Sequence, residues 1–473
     1  MPVNSKHPIY SSRLAQWKKC RDVFEGSDAV KDAGTDYLPK PSGQDRHEYD
    51  GYKKRAMFYG AYARTIEGFI GSIARKPARL DAPEVFKELC EDVTATGISL
   101  GEYIKVLASE VIITGRVGVL ADFDNHLNRP FTTYYKSEQI INWFGDGSIV
   151  IEEKVYEQDP QDRFKVREVV QYRLLSLEDG IYTVTVYRKS EGISRDDYFI
   201  YEQTTPNIRG VAFNYIPFFF LSKTGSTPVI EKPPLYDLAE VVLSHYRTSA
   251  DLEHGRHFTA LPTLYISGMM QGEEVKVGGG AAIVLADPQA KVGYAEFSGQ
   301  GLASLDKGLE QKEHQMAILG ASLFGSKGGV EAAETARIRT SGESSLLSSV
   351  VSSIEEALEK VLQIMADWMG VNYEIDLDIN RDFVGERITA PEIMALVTAY
   401  NSGVLTLEAF LHNLQDGDVL PPELDIDEQA AELKGIQEEA ANTAHDNEIK
   451  KATALAAIKT ENSKPMDAKP SAK

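Results

Sequence analysis

The chain has little of what usually anchors a functional assignment. Cys20 and Cys90 are the only cysteines in 473 residues. They are too few for a disulfide framework and lack the spacing of a metal site, as expected of a protein made in a reducing compartment. No apolar stretch is long enough for a bilayer, since the run at residues 216–221 is far short of the ~18 residues that suggest a membrane span. The N-terminal stretch MPVNSKHPIYSSRLAQWKKC lacks the uninterrupted apolar core of a secretory signal. These absences lead us to expect a soluble protein, intracellular when made. Basic residues are a further shortage. A formal net charge of -21 argues against adhesive binding of nucleic acid, which needs clustered Lys and Arg, but leaves DNA as something kept at a distance. Finally, no GxSxG, HExxH or paired CxxC occurs, and the glycines of GSKGGV at residues 325–330 do not form the phosphate-cradling GxxxxGK[ST].

What is present is material for a folded protein of several parts. With 42% hydrophobic residues the chain has ample core, and its length allows roughly two to four domains. The first 120 residues read as helices. Leu14, Trp17, Val23 and Phe24 form one apolar pattern, and Tyr59, Tyr62, Ile66, Phe69, Ile70 and Ile73 form another before Pro77. Ser99 and Glu102 have capping-box spacing ahead of a helix that Gly115 should close, and residues 116–123 have the content of a buried strand. From Ile149 the apolar period becomes two, with a turn at Asp179-Gly180, which predicts an antiparallel meander finished by a buried strand at 216–221. Pro233 and Pro234 should open a helix running to Phe258. A small β-rich unit follows at 263–297, then a helix at 302–319. Beyond a strand expected at 371–379, Thr389, Pro391 and Glu392 announce two short helices separated by Gly403, and the last ~35 residues have the composition of a solvated tail.

Between those helices lies the most distinctive stretch, a glycine-rich segment that feeds an amphipathic helix expected at 331–369. Leu347, Ile354, Val361 and Trp368 recur every seven residues, and Val351, Leu358 and Met365 stand four residues after the first three. One apolar stripe therefore runs along the helix. Such a stripe ordinarily packs within its own subunit. Gly325, Gly328 and Gly329 make a fixed conformation costly in entropy, so a moving part is plausible there.

Several polar groups have the residue types of chemistry. Asp146, Glu152 and Lys154 have the order of metal-dependent nucleases, in which carboxylates hold Mg²⁺ and a lysine assists the nucleophile. The outer face of a strand is the simpler account. The pairs Asp122 with Asp124 and Asp376 with Asp378 alternate on strands and read the same way. His245, His254 and His257 lie near the end of one helix, the last two a turn apart, but no third ligand has suitable spacing. Surface or interface histidines are the expectation. A helix-turn-helix in the pair at 389–415 is disfavoured because residues 406–415 contain no Lys or Arg.

The order of these parts resembles the phage portal proteins, the head-to-tail connectors of tailed phages, and within them a subgroup known only as a domain of unknown function. Five stretches carry the resemblance: YLPKPSGQD (37–45), TGRVGVLADF (114–123), YYKSEQIINW (134–143), IPFFFLS (216–222) and AAETARIRTSGESSLL (332–347). The resemblance covers nearly the whole chain. The resemblance implies an α+β portal fold with a helical stem, an inserted β-rich clip, an α/β wing with antiparallel strands and a helical C-terminal crown. The implied parts are a wing at 1–230, a stem helix at 231–258, a clip at 259–300, a second stem helix at 301–322, a tunnel loop at 323–336, a long wing helix and strand at 337–385, and a crown with a solvated tail at 386–473. It also implies a ring of twelve subunits at one capsid vertex of the virion, assembled in the host cytoplasm, through which double-stranded DNA passes without sequence-specific contacts. Phe324, Gly325, Ser326, Lys327, Gly328, Gly329 and Val330 would form the tunnel loop facing DNA. Met269, Met270, Gln271, Glu273, Glu274 and Lys276 would face the terminase large subunit and later the head-tail adaptors. Major capsid and scaffolding proteins are the other implied partners. No catalytic residue, metal, cofactor or membrane is implied. The alternatives are the Mg²⁺-dependent nuclease and another virion ring component, such as a head-tail adaptor lacking an inserted clip.

Overall fold

The structure is a computed structural model and describes residues 3–159, 162–189, 198–260, 263–268, 288–295, 301–321, 333–383, 388, 390–417, 419–421, 424–436 and 450–451. It is an α+β protein that divides into two compact units, Met1–Phe383 and Val384–Lys473.

In the first unit, helices α1 (Pro8–Glu25), α2 (Ser27–Asp32), α3 (Arg46–Arg55) and α4 (Ala61–Ile73) precede a short strand β1 (Arg79–Asp81), α5 (Glu84–Cys90) and α6 (Leu100–Thr114). The local chemistry explains the boundaries. Asp45 and Glu48 satisfy each other's backbone at the start of α3. Ser99 and Glu102 do the same for α6, which Gly115 ends at φ 87. Strand β2 (Arg116–Asp124) then leaves directly from that left-handed turn.

Strands β3 (Arg129–Lys136), β4 (Ile140–Trp143), β5 (Ile149–Asp159), β6 (Asp162–Glu178), β7 (Ile181–Lys189) and β8 (Tyr198–Thr204) follow. The last five form one antiparallel sheet in sequence order, and positive φ at Asp179 and Gly180 makes the tight turn between β6 and β7. A small hairpin, β9 (Asn207–Ile208) with β10 (Val211–Ala212), turns at Arg209-Gly210, both with positive φ. Strand β11 (Phe218–Ser222) departs from the sequence expectation. It leaves the meander and pairs antiparallel with β2, so that a separate three-stranded sheet runs β11-β2-β3. The reason is steric as much as hydrophobic. Gly118 on β2 leaves room for the Phe218 ring and the Ile140 side chain, both of which a Cβ there would meet at under 3 Å.

The remainder of the unit is helix α7 (Tyr236–Ala260), hairpin strands β12 (Thr263–Ser267) and β13 (Lys291–Ala295), α8 (Leu302–Met316), the long α9 (Ala333–Met369) and β14 (Asp376–Asp378). The strand expected over 371–379 shortens to three residues paired with β1, because α9 itself supplies acceptors. Gln363, Glu359 and Glu355 accept the backbone N–H of Ile375, Leu377 and Ile379 at 3.1, 3.4 and 2.7 Å. Four residues of helix rise about 6.0 Å and two residues of strand about 6.6 Å, so the two ladders stay in step. One large core joins α4, α6, α7, the β11-β2-β3 sheet and α9, and a smaller one places Tyr10 and Trp17 of α1 against Ile141, Val150 and Tyr172.

The second unit contains α10 (Ala390–Asn401) and α11 (Leu407–Asp416). The turn between them uses Gly403 at φ 77, and Thr406 caps α11 through the N–H of Ala409. Leu411 packs with Ile426 and Ala430 in this unit's own core. Thr389 lies outside the described residues.

Candidate functional site

The region from α7 to α9 is where the structure concentrates unusual geometry. Alternating contacts show that α7 and α8 run antiparallel. Arg256 bridges Glu253 and Asp306 at 2.9 and 2.8 Å, Lys312 donates to the Ser244 carbonyl at 3.1 Å and to the Thr248 hydroxyl, and the His245 ring faces Glu313 at 3.3 Å. Gly255 sets the spacing, since a Cβ there would stand 2.6 Å from Leu302 Cδ2. Nine residues of α7, among them Leu238, Val242 and Tyr246, are buried, whereas Met316 is the buried residue of α8. Much of the α8 surface therefore remains polar and open.

The β12–β13 hairpin stands at the far end of this helical pair, with Thr263 opposite Ala295 and Ser267 opposite Lys291. Tyr265 lies across Gly293 and blocks any larger residue there. Tyr265, Val292 and Tyr294 are exposed. The predicted clip residues Met269, Met270, Gln271, Glu273, Glu274 and Lys276 lie outside the described residues.

After α8 the helix widens into a π-turn over Ala317–Ala321. Gly320 pins that turn, because a Cβ would meet Leu238 and Thr65 at 2.7 Å. Turns of this kind insert an extra residue into a helix and recur at functional positions. The predicted loop residues Phe324, Gly325, Ser326, Lys327, Gly328, Gly329 and Val330 lie outside the described residues. The chain re-enters as α9, 37 residues long and thus about 56 Å from end to end; residues 331 and 332, where the sequence pattern starts the helix, lie outside the described residues. From Leu347 its stripe is inside the subunit. Leu347, Val351, Ile354, Leu358, Val361 and Met365 are all fully buried, and they pack against β2, β3, β11, α4 and α6. At its C-terminal end the Trp368 indole donates to the Asn207 carbonyl at 2.9 Å and lies edge-on to Phe213 at 5.1 Å, so the β9–β10 hairpin clasps the helix.

The acidic candidates do not converge. Asp146 accepts the Ser148 N–H in the β4–β5 turn at 2.9 Å, Glu152 accepts the Tyr172 hydroxyl at 3.0 Å, and Lys154 is paired with Glu168 at 2.9 Å. Burial and the neighbouring Glu152 carboxylate push the Tyr10 phenol up to about 12. Asp124 organises its own turn through the N–H groups of His126 and Leu127, which hold its carboxyl below the usual range. Asp122 faces Arg173 instead, and burial raises its pKa. Asp376 and Asp378 are exposed on β14. Among the described residues no group of three or more His, Cys, Asp or Glu is arranged to hold a metal ion, and no helix is long and apolar enough to cross a membrane.

Of the three histidines expected at surface or interface positions, His257 is exposed and His254 half-buried, and His245 alone departs from the expectation. His245 is buried between α7 and α8; its Nε2 meets Glu313 while Nδ1 has no partner among the described residues, and burial lowers its pKa. His254 Nδ1 accepts from Arg55 at 3.1 Å, and its Nε2 lies 3.3 Å from the Gln44 side-chain nitrogen. Burial and the Arg55 charge lower its pKa too. His257 stacks edge-on with Phe258.

A further residue drew no notice in sequence. Arg116 is fully buried and, among the described residues, has no carboxylate partner. Its guanidinium lies 4.6, 5.3 and 6.0 Å from the rings of Trp143, Phe220 and Trp17 and donates to the carbonyls of Pro228 and Ile140 at 3.1 and 3.4 Å. Burial brings its pKa down to about 9. It joins four separate segments of the first unit. The only sequence hint is an arginine at the head of an apolar strand.

Comparison with known proteins locates the same region. Residues 234–369, from the start of α7 to the end of α9, match the family described as a domain of unknown function, DUF4055. No curated protein is significantly similar to the chain. Among solved structures, a chain from the virion of a native gene transfer agent particle is 13% identical, with a TM-score of 0.39 over 79% of this chain and 94% of that one. A chain from the neck of the native particle computed with C12 symmetry is 13% identical, with a TM-score of 0.40 over 80% and 95%. One from the neck of the empty particle computed with C6 symmetry gives 13% and 0.39 over 78% and 93%.

Proposed function

We propose that this chain is a portal-type subunit, which assembles into a ring at one vertex of a phage-like capsid and surrounds the channel through which double-stranded DNA enters and leaves. The observation that carries the reading is the uninterrupted order within residues 234–369: a helix, an antiparallel hairpin at its far end, a returning helix, a pinned π-turn, a glycine-rich segment, and a long helix rooted in the core. Such a series suits a lever with one end buried and the other beside a narrow passage. Four of the five sequence stretches that resemble portal proteins precede it, and the fifth, 332–347, lies within it.

Electrostatics favour passage over capture. An acidic chain of net charge -21, repeated around a ring, repels the phosphate backbone and lets a duplex slide. Lys327 is the cation in the segment assigned to the tunnel. Met269, Met270, Gln271, Glu273, Glu274 and Lys276 would meet terminase and adaptors, and capsid and scaffolding proteins would meet the outer parts. In this reading the protein performs no catalysis; its work is to hold geometry.

The test is direct. Negative-stain images and native mass of the purified protein should give rings with a central opening, twelvefold in copy number. A stable monomer under all conditions would overturn the proposal, and DNA cleavage that requires Mg²⁺ and is abolished by Glu152→Ala would replace it with the nuclease.

A further inference from the structure

The β5–β6 hairpin extends beyond the sheet to which it belongs. β4 stops pairing with β5 at Ile151, and β7 joins β6 only at Gln171. From Lys154 opposite Val170 to Asp159 opposite Asp162, the described residues of the two strands pair only with each other. An isolated two-stranded ribbon is marginally stable in water, and this one differs sharply between its faces.

One face is charged beyond the half-buried pair Val155 and Val169. Glu157 lies opposite Arg167 and ion-pairs with it at 3.6 Å and with Arg188 at 2.7 Å, while Lys165 meets Asp159 at 3.8 Å. The other face carries Tyr156, Phe164, Val166 and Val170, which are 70, 84, 61 and 38% exposed. Its charges cancel locally, since Lys154 and Glu168 pair at 2.9 Å. This apolar face continues the one whose inner half, Tyr172 with Val150 and Leu174, is covered by Tyr10 and Trp17 of α1. The described residues thus cover half of a continuous apolar face and leave the outer half bare.

We propose that the outer half is a subunit contact, seated on a neighbouring copy of this chain in the ring. The area decides the occupant. Four side chains at these exposures offer on the order of 400 Å² of apolar surface, about half of the ~800 Å² per partner of a stable two-body complex. That is too little to retain a freely diffusing protein, and it is enough for a copy already held by other contacts around a closed ring. In such a ring each subunit presents one surface to the next and a different one to the last, so a protruding ribbon on one side needs no matching ribbon on its partner. The choice of a second copy rests on the ring reading.

The experiment uses the full chain with a benzoylphenylalanine photo-cross-linker in place of Phe164, read by native mass and peptide mapping. A parallel variant combines Tyr156→Ser, Phe164→Ser and Val166→Thr, and an Arg167→Gln variant on the opposite face serves as the control. We expect covalent pairs of this chain within rings, with Phe164 joined to a segment other than its own ribbon. The triple variant should raise the concentration at which rings dissociate by roughly tenfold, with unchanged circular dichroism, and the control should not. Rings without the cross-linked pair would sink the contact and keep the ring; cross-linked pairs without rings would keep the contact and sink the ring; neither product would sink both. In particles, cross-linking of Phe164 to the shell protein instead of a second copy would also overturn the assignment.

Discussion

The guanidinium of Arg209 occupies the space in which a Cβ on Gly370 would stand. Gly370 closes α9 with φ 77, its N–H bonded to the Asp367 carbonyl at 3.1 Å and that of Val371 to Ala366 at 2.9 Å. The turn at Arg209-Gly210 thus places a cation against the carbonyl end of the longest helix, where the helix dipole favours it. Two constraints meet at one glycine: a left-handed backbone and a neighbour already in place.

These constraints can be separated. Gly370→Ala is expected to cost about 1–2 kcal/mol for the backbone alone and more for displacing Arg209. Arg209→Ala in the same chain should recover the second part and not the first. Chemical denaturation of the two single variants and the double variant gives the coupling, and a coupling near zero would show that Arg209 moves aside freely.

Arg116 should tolerate lysine poorly. An ammonium cannot span three rings while donating to the carbonyls of both Pro228 and Ile140, so Arg116→Lys is expected to destabilise the first unit by roughly 2 kcal/mol. Arg116→Ala should cost more, because it leaves both carbonyls without these donors and opens a void between Trp17 and Trp143. Equal unfolding midpoints for wild type and the lysine variant would contradict this account.

His245 predicts an acid-side loss of stability. Burial sets its folded pKa below the ordinary 6.5, so as pH falls through 6.5 the unfolded chain takes up a proton that the folded one resists, and stability drops until the folded pKa is passed. A proton added at Nδ1 would find no acceptor. His245→Gln should therefore flatten the pH dependence of the melting temperature below pH 6.5 relative to wild type. An unchanged difference between the two from pH 7 to pH 5 would refute it.

Deleting residues 324–330 tests the lever. Rings should persist, since α8 and the buried part of α9 remain, while DNA packaging or retention falls in particles carrying the deletion. Loss of rings would instead put this segment among the subunit contacts. Gly320→Val probes the π-turn beside it. Its side chain would collide with Leu238 and Thr65, and the expected cost is about 1–3 kcal/mol of stability.

The sequence announced the elements whose signals are local. Ser99 with Glu102, Gly115, the Asp179-Gly180 turn and the heptad stripe from Leu347 each state their own structure through caps, backbone sign or period, and each stands where it was expected. Pairing between distant segments was less legible. Residues 218–222 have the alternation of any buried strand, and nothing in them says that β2 is the partner; that choice depends on the space above Gly118. The truncation of β14 was hidden for the same reason, because its competing acceptors Gln363, Glu359 and Glu355 sit on a helix. The aromatic cage of Arg116 gathers rings from three separate segments. At the candidate site, the helix–hairpin–helix order was legible, whereas Gly255 and Gly320 looked like ordinary glycines.

The pairing of β1 with β14 joins position 79 to position 378, and Arg75 with Asp382 and Asn380 with the Ser72 carbonyl fasten the same seam. Most of the first unit, all but the segment carrying α1 to α4, is made between its two edges. During synthesis, β1 must wait for a strand that emerges from the ribosome nearly three hundred residues later. The closure entropy grows only slowly with that separation, but non-local pairing of this kind slows folding. The seam therefore acts as a completeness check: a chain truncated before Ile379 lacks its full fastening, whatever the state of its sheets and helices.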